Sequence, residues 1–445
     1  MAFKINLSFT RLFSRCFSGK PSSLTQAALK FILCFMYRIL LRICCAQALL
    51  CVFLLSACTK QGRILSITED ELFPLSYGNF EDQLNLFSIN KTGSFKTCLA
   101  MRDGFFFIVN GEAEKILSLN SYGDMLSIFY NEDFYGQEEH SLPSESTAGI
   151  WKKISYPFTL DGGIAVDSRK YIYAVCSIPK ERNEQNESGT LLYSQVVLRI
   201  SGDGSVIDYI GQQGPGGTPF PFITGIYATE NNELVTVCKT NEGLCVYWFA
   251  ENGFLRYKIP VNTKDIPQLE HETAGLNADD IFVTVENIVP DCSALRIYVK
   301  ADYYLPHIDA DSKVRSGIDY AESFVYPLDI EDGVYGEALN IPPHEESVAE
   351  DFSRLTYRMP YDFLGITKNG WLCFIVTTEE GFSIEMIHSG TRNVIKRQLD
   401  INHKEELYYS FALSDEGIIS ALLAGKNDVR VVWWRTDSLI ASLIK

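Results

Sequence analysis

Six histidines, at positions 140, 271, 307, 344, 388 and 403, are scattered through a chain of 445 residues, and one of them stands in a run that could do chemistry. In "HIDADSK" (307–313), His307, Asp309 and Asp311 occupy alternate positions. Alternate residues of a strand share a face, so the three could offer a nitrogen and several oxygens to a cation. A charge cluster within a polar insertion is more often a solvated face, which is the preferred reading. "SINKTG" (88–93) contains Ser-x-x-Lys and Lys-Thr-Gly, the parts of a serine–lysine acyl-transfer site. Such a site needs those motifs far apart in the chain, and here they overlap. "SIPK" (177–180) repeats the first by chance. No Gly-x-Ser-x-Gly, His-Glu-x-x-His or Cys-x-x-Cys occurs. "SGDGS" (201–205) and "IEDG" (330–333) carry too few oxygens for a calcium loop. The expectation is therefore no catalytic residue, no metal site and no cofactor.

The elements that would position such groups are strands. "GIAVDSRKYIYAVC" from Gly163 and "GIYATENNELVTVC" from Gly225 each begin Gly-Ile, turn on polar residues and reach Cys176 or Cys238 after an alternating run. Each is followed by a second strand pair with a glycine turn, "VVLRISGDGSVIDYIG" and "LCVYWFAENGFLRYKIP". The same order recurs over 98–130, 363–401 and 411–445, and more loosely from Ile281 to about Pro342. Asx-Gly turns between β-branched and aromatic runs are hairpin signals, and repeated four-strand units are propeller blades. One four-stranded sheet cannot bury both faces, whereas blades packed around an axis can. The expected fold is all-β: a single β-propeller over 84–445, with six blades and seven as the alternative.

Several finer expectations follow. Leu84–Asn90, "LNLFSIN", alternates and could close the ring, while 58–83 lacks periodicity and reads as a tether. "GQQGPGGTPFPFITGI" (211–226) connects two blades, with Phe220 and Phe222 plugging between sheets. "HEESVAEDFSRL" (344–355) is the best short helix, and long polar insertions such as 307–319 and 342–359 emerge from the faces. In the last unit, "RTD" is the turn into a final strand. Cys238 and Cys245 could face each other across a hairpin, and the remaining cysteines read as buried apolar residues. Asp167 has no consistent acidic counterpart in the other units.

Residues Pro157–Pro260 resemble NHL-type β-propeller repeats. Pro157-Phe158, "GGIAVDSRKYIYAV", "VVLRISGDGSVIDYIGQQG" and Phe220 carry the likeness. It departs at Cys176-Ser177-Ile178, where the family usually writes Ala-Asp and then Asn, so blade-specific ligand contacts do not carry over. The resemblance implies a rigid ring whose loops bind a ligand. Relatives of this repeat type that act as lyases or hydrolases supply the alternative, an enzyme with a metal or acid–base site in its channel.

The first 57 residues hold Lys4, Arg11, Arg15, Lys20, Lys30, Arg38 and Arg42 and no acid. Arg38 and Arg42 precede an uncharged run, Ile43–Ala57, too short to span a bilayer but suited to a signal peptide. The run ends in Leu-Ser-Ala-Cys58, which resembles the lipobox of bacterial lipoproteins. That resemblance implies cleavage before Cys58 and acylation of its sulfur and new terminus, with palmitate-type chains giving stable anchoring. The signal would be 1–57, with Met36 as an alternative start that makes the first 35 residues an upstream artefact. Setting the seven basic residues aside leaves 32 basic against 56 acidic, a net charge of −24. Nucleic acid is an improbable partner for such a surface. The expectation is an envelope lipoprotein, facing the periplasm or cell surface, that binds a protein, peptide or glycan.

Overall fold

The computed structural model describes residues 65–86, 95–135, 151–269, 281–309, 314–350, 353–402 and 405–443. All lie in one compact unit, Ile64–Lys445. The alternating β-branched and aromatic runs pair into six sheets, taken in chain order, antiparallel except for a short parallel edge strand on the first and fifth. Their first strands are Thr97–Arg102, Leu160–Val166, Ile223–Ala228, Phe282–Pro290, Asp362–Ile366 and Tyr408–Leu413. These six strands stand side by side around an axis, each next to the first strand of the following blade, and the sixth returns to the first. The fold is a six-bladed β-propeller.

Six separate apolar clusters confirm the ring, one at every junction. Phe107 and Val109 of blade one meet Ile164 and Ala174 of blade two. Val197 and Ile210 of blade two meet Leu234 and Tyr247 of blade three. The series continues through the remaining junctions and closes where Leu422 and Val429 of blade six meet Leu99 and Ile108 of blade one. Both faces of every sheet are thereby buried, which explains the near-continuous apolar strands. Hydrogen bonds near the axis tie blade to blade. The Cys98 thiol donates to Gly162 O, the Cys292 thiol to Ile366 O and the Tyr408 hydroxyl to Thr97 O.

The glycine-rich stretch is indeed the connector from blade two to blade three. Gly211 has no room for a side chain, because an added Cβ would collide with the Gly217 carbonyl. Phe220 is fully buried, its ring edge-on to Tyr247 at 5.2 Å and to Phe249 at 6.0 Å. Phe222, two residues on, is 60% exposed and plugs nothing.

Ring closure departs from expectation. The outermost strand of blade six is Asp70–Ser76, from the stretch read as tether, paired antiparallel with Asp428–Trp434. Phe73 and Leu75 point inward, and Pro74 is tolerated because the strand lies at an edge. Leu65–Ile67 runs parallel to Val394–Leu399 on blade five. Leu84 forms only an isolated bridge to Tyr77, and 87–90 lie outside the described residues. Because the N-terminus supplies that strand, the C-terminus does not: "RTD" opens the helix Thr436–Leu443 instead of a strand, with Ile440 buried against blades five and six.

The second departure is in blade four. Its second and third strands, Arg296–Ile308 and Arg315–Asp329, run 13 and 15 residues and rise beyond the ring as a long ribbon. The expected helix at 344–355 is instead part of a short ribbon, His344–Glu350 paired with Ser353–Met359. Its one polar-apolar alternation suits a strand better than the three-to-four spacing of a helix. Both ribbons leave the end of the ring at which the first strands begin, since Phe282 pairs with Tyr304 and only Pro360 and Tyr361 separate Met359 from Asp362.

Candidate functional site

The axis holds a cavity of ≈ 220 Å³ lined by the first strands of all six blades. Each first strand pairs on one side only, so backbone groups on its other edge face this space and need water or ligand as partners. The wall is largely apolar, with Ile164, Ile226, Leu364, Phe411 and Leu413 among its residues. Arg102 and Asp415 form an ion pair across the junction of blades one and six at the turn end. Burial raises the Asp415 carboxyl above its usual range, opposed by Arg102 and assisted by Glu416 and Glu230.

Asp167 belongs to this turn end, and its role is structural. Its carboxylate accepts from Tyr171 N four residues on, and from the Arg169 side chain. At the matching turns, Thr229 accepts from Glu233 N, Thr367 from Trp371 N and Ser414 from Ile418 N. The blades do share an acceptor here, but its purpose is to cap the first turn.

The opposite end carries the ionisable cluster. Lys300, in the second strand of blade four, has no solvent exposure. Its Nζ lies 2.7 Å from Asp302 Oδ1 and 3.4 Å from Glu286 Oε2. The Ser323 hydroxyl donates to Asp302, and the Tyr320 and Ser323 hydroxyls share a hydrogen bond of 2.8 Å. Asp362, at the start of blade five's first strand, completes the group. Glu286 is the bulged residue of its strand, the extra residue between Val285 and Asn287 that the partner strand does not oppose. Burial pushes its carboxyl up to about 7, opposed by Lys300 and reinforced by Asp362 and Asp302. Asp362 is raised too, by burial and by Asp302 against the pull of Lys300. Solvent still reaches Glu286, whose side chain is 27% open although protein surrounds it.

Lys300 stands opposite Asn287, on the side of its second strand that faces the next blade. The matching place, likewise on the side facing the next blade, holds Val109, Val175, Val237, Ile375 and Leu422 in the other blades, all buried and apolar. Asn287 likewise stands where blades two and three have Gly163 and Gly225, and its side chain donates to Phe363 O at 3.0 Å. Blade four has thus exchanged a core position for a buried cation with carboxylates around it. Such exchanges are expensive for stability, and so point to a site.

None of these residues was singled out from the sequence. The cluster's trace there is "YVKADYY", a lysine and an aspartate inside an apolar strand run. The residues singled out earlier do not join it. His307 Nδ1 lies 2.7 Å from Asp319 Oδ2 on the exposed part of the long ribbon, and Asp311 is outside the described residues. Among the described residues no group of three acidic, histidine or cysteine side chains is arranged to hold a metal. Ser88–Gly93 and Cys58 are likewise outside the described residues. Ser177 donates to Asp161 Oδ2 at 2.9 Å. Cys238 and Cys245 are directly opposed in register, both buried and both free thiols.

No protein-family model matches the chain, nor does any curated protein. Solved structures follow a similar course. A streptogramin B lyase aligns over 78% of this chain and 95% of its own at 14% identity, with a TM-score of 0.32. A gluconolactonase from Xanthomonas campestris aligns over 83% and 97% at 10% identity, TM-score 0.36. The Dos1 propeller aligns over 81% and 95% at 10% identity, TM-score 0.32. The six-bladed ring rests on the strand pairing of the protein itself.

Proposed function

We propose that the protein is a lipid-anchored component of the bacterial envelope, an NHL-like propeller that binds a macromolecule on the face where its first strands begin. One observation carries this reading. Two β-ribbons rise side by side from that face, and nothing in the packing of the ring requires them. Rigid scaffolds place recognition on such projections, and the fold alone does not name the ligand. The anchoring half rests on the Arg38/Arg42, apolar run and Leu-Ser-Ala-Cys58 order. Cys58→Ala should abolish lipid labelling and leave an uncleaved precursor, and normal processing of that variant would end it. For the binding half, replacing 305–320 by a two-residue Asn-Gly turn should abolish association with the protein's envelope partner while the ring still melts cooperatively. Undiminished association would end it.

A second reading is favoured by the cluster in blade four. A carboxyl held near 7 beside a buried lysine is the arrangement of a general acid, and it lies at the end of the ring from which the ribbons rise. In that case Glu286 would give a proton to a leaving oxygen, with Lys300 and Asp302 fixing its position, as in a lyase or hydrolase. Glu286→Gln separates the two readings: it should leave binding intact if the protein only binds, and remove turnover if it is an enzyme.

A further inference from the structure

Resting on the binding-face reading above, we infer that the partner is a protein presenting an apolar patch bordered by lysine and arginine, seated across the outer halves of the two ribbons. The long ribbon is supported only at its base. The first strand of blade four follows it as far as Tyr304, and the fourth strand pairs only with Ser323–Val325. Beyond these points two strands stand alone, and an isolated two-stranded ribbon is marginal in water. That part nevertheless exposes large apolar side chains: Ile308 at 53%, Val314 at 61% and Ile318 at 48%, with Phe282 at 51% beside its base. The short ribbon adds Tyr357, half exposed. The two are neighbours, since Arg358 of the short ribbon acts electrostatically on Tyr320 of the long one. Contiguous apolar surface with a polar border marks a protein contact.

The border is acidic. The long ribbon's outer part contains Asp309, Asp319 and Glu322 against Arg315, with His307 facing Asp319. The short ribbon contributes Glu345 and Glu346 against Arg358. A second copy of this chain brings the same acidic border and a net charge of −24 after residue 57, so self-association is opposed. Anionic lipid headgroups are repelled in the same way. A basic rim around an apolar centre is the complement, and electrostatic matching of this kind governs both capture rate and choice of partner.

The test uses the full-length protein in its own membranes, with benzoyl-phenylalanine placed at position 318 and, as control, at position 207 on blade two. Irradiation at 318 should yield one dominant protein adduct whose contact residues are apolar and flanked by Lys or Arg. The control should not yield it. The charge reversals Asp319→Lys and Glu345→Lys together should cut that adduct at least tenfold, with the thermal melt unchanged because both side chains are exposed. An adduct whose yield ignores the reversals, or whose contact surface is acidic, overturns the partner's chemistry and leaves the binding face standing. If position 318 yields no more protein adduct than position 207, the binding face falls as well.

Discussion

Blades three and four begin alike and end differently. Both open with a bulged first strand followed by a turn on a capping residue, Thr229 in one and Asp291 in the other. In blade three the second and third strands, 6 and 7 residues long, stop at the tight turn Thr240–Gly243. Val237 fills the core beneath, with Gly225 opposite. In blade four Lys300 and Asn287 take those two places, and the strands continue into the long ribbon. The comparison shows that the ring needs only the blade-three version. What blade four adds costs stability or buries nothing, and that is where function is to be sought.

The largest test of this contrast is Lys300→Met. Removing the cation leaves Glu286, Asp302 and Asp362 crowded without compensation. Breaking a buried ion network in this way costs about 3–5 kcal/mol. Val237→Ala, at the equivalent place, loses only packing and should cost about 2 kcal/mol. Urea denaturation of the soluble form measures both. Equal losses would mean that Lys300 acts merely as a space-filler.

Neutralising the cluster, with blade three's Thr224 and Val237 as the pattern for two of its places, is the sharper experiment. Glu286→Thr, Lys300→Val and Asp302→Ser together remove every charge of the cluster except Asp362, which is solvent-accessible although protein partly surrounds its carboxyl. An apolar replacement of a buried ion network is often neutral or stabilising. The triple variant should therefore recover most of what Lys300→Met loses, ending within about 1–2 kcal/mol of the original. If it is no better than the single variant, the polar cluster holds blades four and five together and its retention needs no functional explanation.

How much of this was legible in the sequence depends on whether a feature repeats. The Gly-Ile openings at Gly163 and Gly225 and the glycine turns announced the blades, because alternation and turn chemistry are local properties. The cluster was not legible, because it unites "VENI", "YVKAD" and "YDFLG" from two blades, and only ring geometry brings Glu286, Lys300 and Asp362 together. The closing strand was hidden for a related reason. "DELFPLS" breaks its pattern at Pro74, and nothing local says that its partner lies more than three hundred residues away at Arg430. Phe222 shows the converse limit: its residue type suits a core, but the alternation that buries Pro221 and Ile223 leaves Phe222 and Thr224 outside.

A smaller effect separates the blades by pH. Glu286 has a folded-state pKa of about 7, above the ordinary 4.5. Folding thus favours the protonated form. The resulting stability is fully present below about pH 4.5 and is lost as pH rises towards 7. Solvent contact limits the effect to about 1–2 kcal/mol. Glu286→Gln should flatten that part of the stability–pH curve, measured by urea midpoints between pH 4.5 and 8. Thr224→Val, at the matching bulge of blade three, should leave the curve's shape unaltered. A Glu286→Gln curve parallel to the original would show that the carboxyl is not held neutral.

The smallest expected effect lies within blade four itself, along one strand. Val325 and Ile318 both belong to Arg315–Asp329, seven residues apart, yet Val325 is fully buried at the junction with blade five and Ile318 is half exposed on the ribbon. Val325→Ser puts an unpartnered hydroxyl into a packed core and should cost about 2–4 kcal/mol. Ile318→Ser removes an apolar side chain that already faces water. Its cost should stay within about 0.5 kcal/mol, the range of surface substitutions. That near-zero value is the informative one. If Ile318→Ser destabilises the isolated protein by more than about 1 kcal/mol, the ribbon packs against the ring, its apolar face already has a partner within the chain, and the surface is not held open for another molecule.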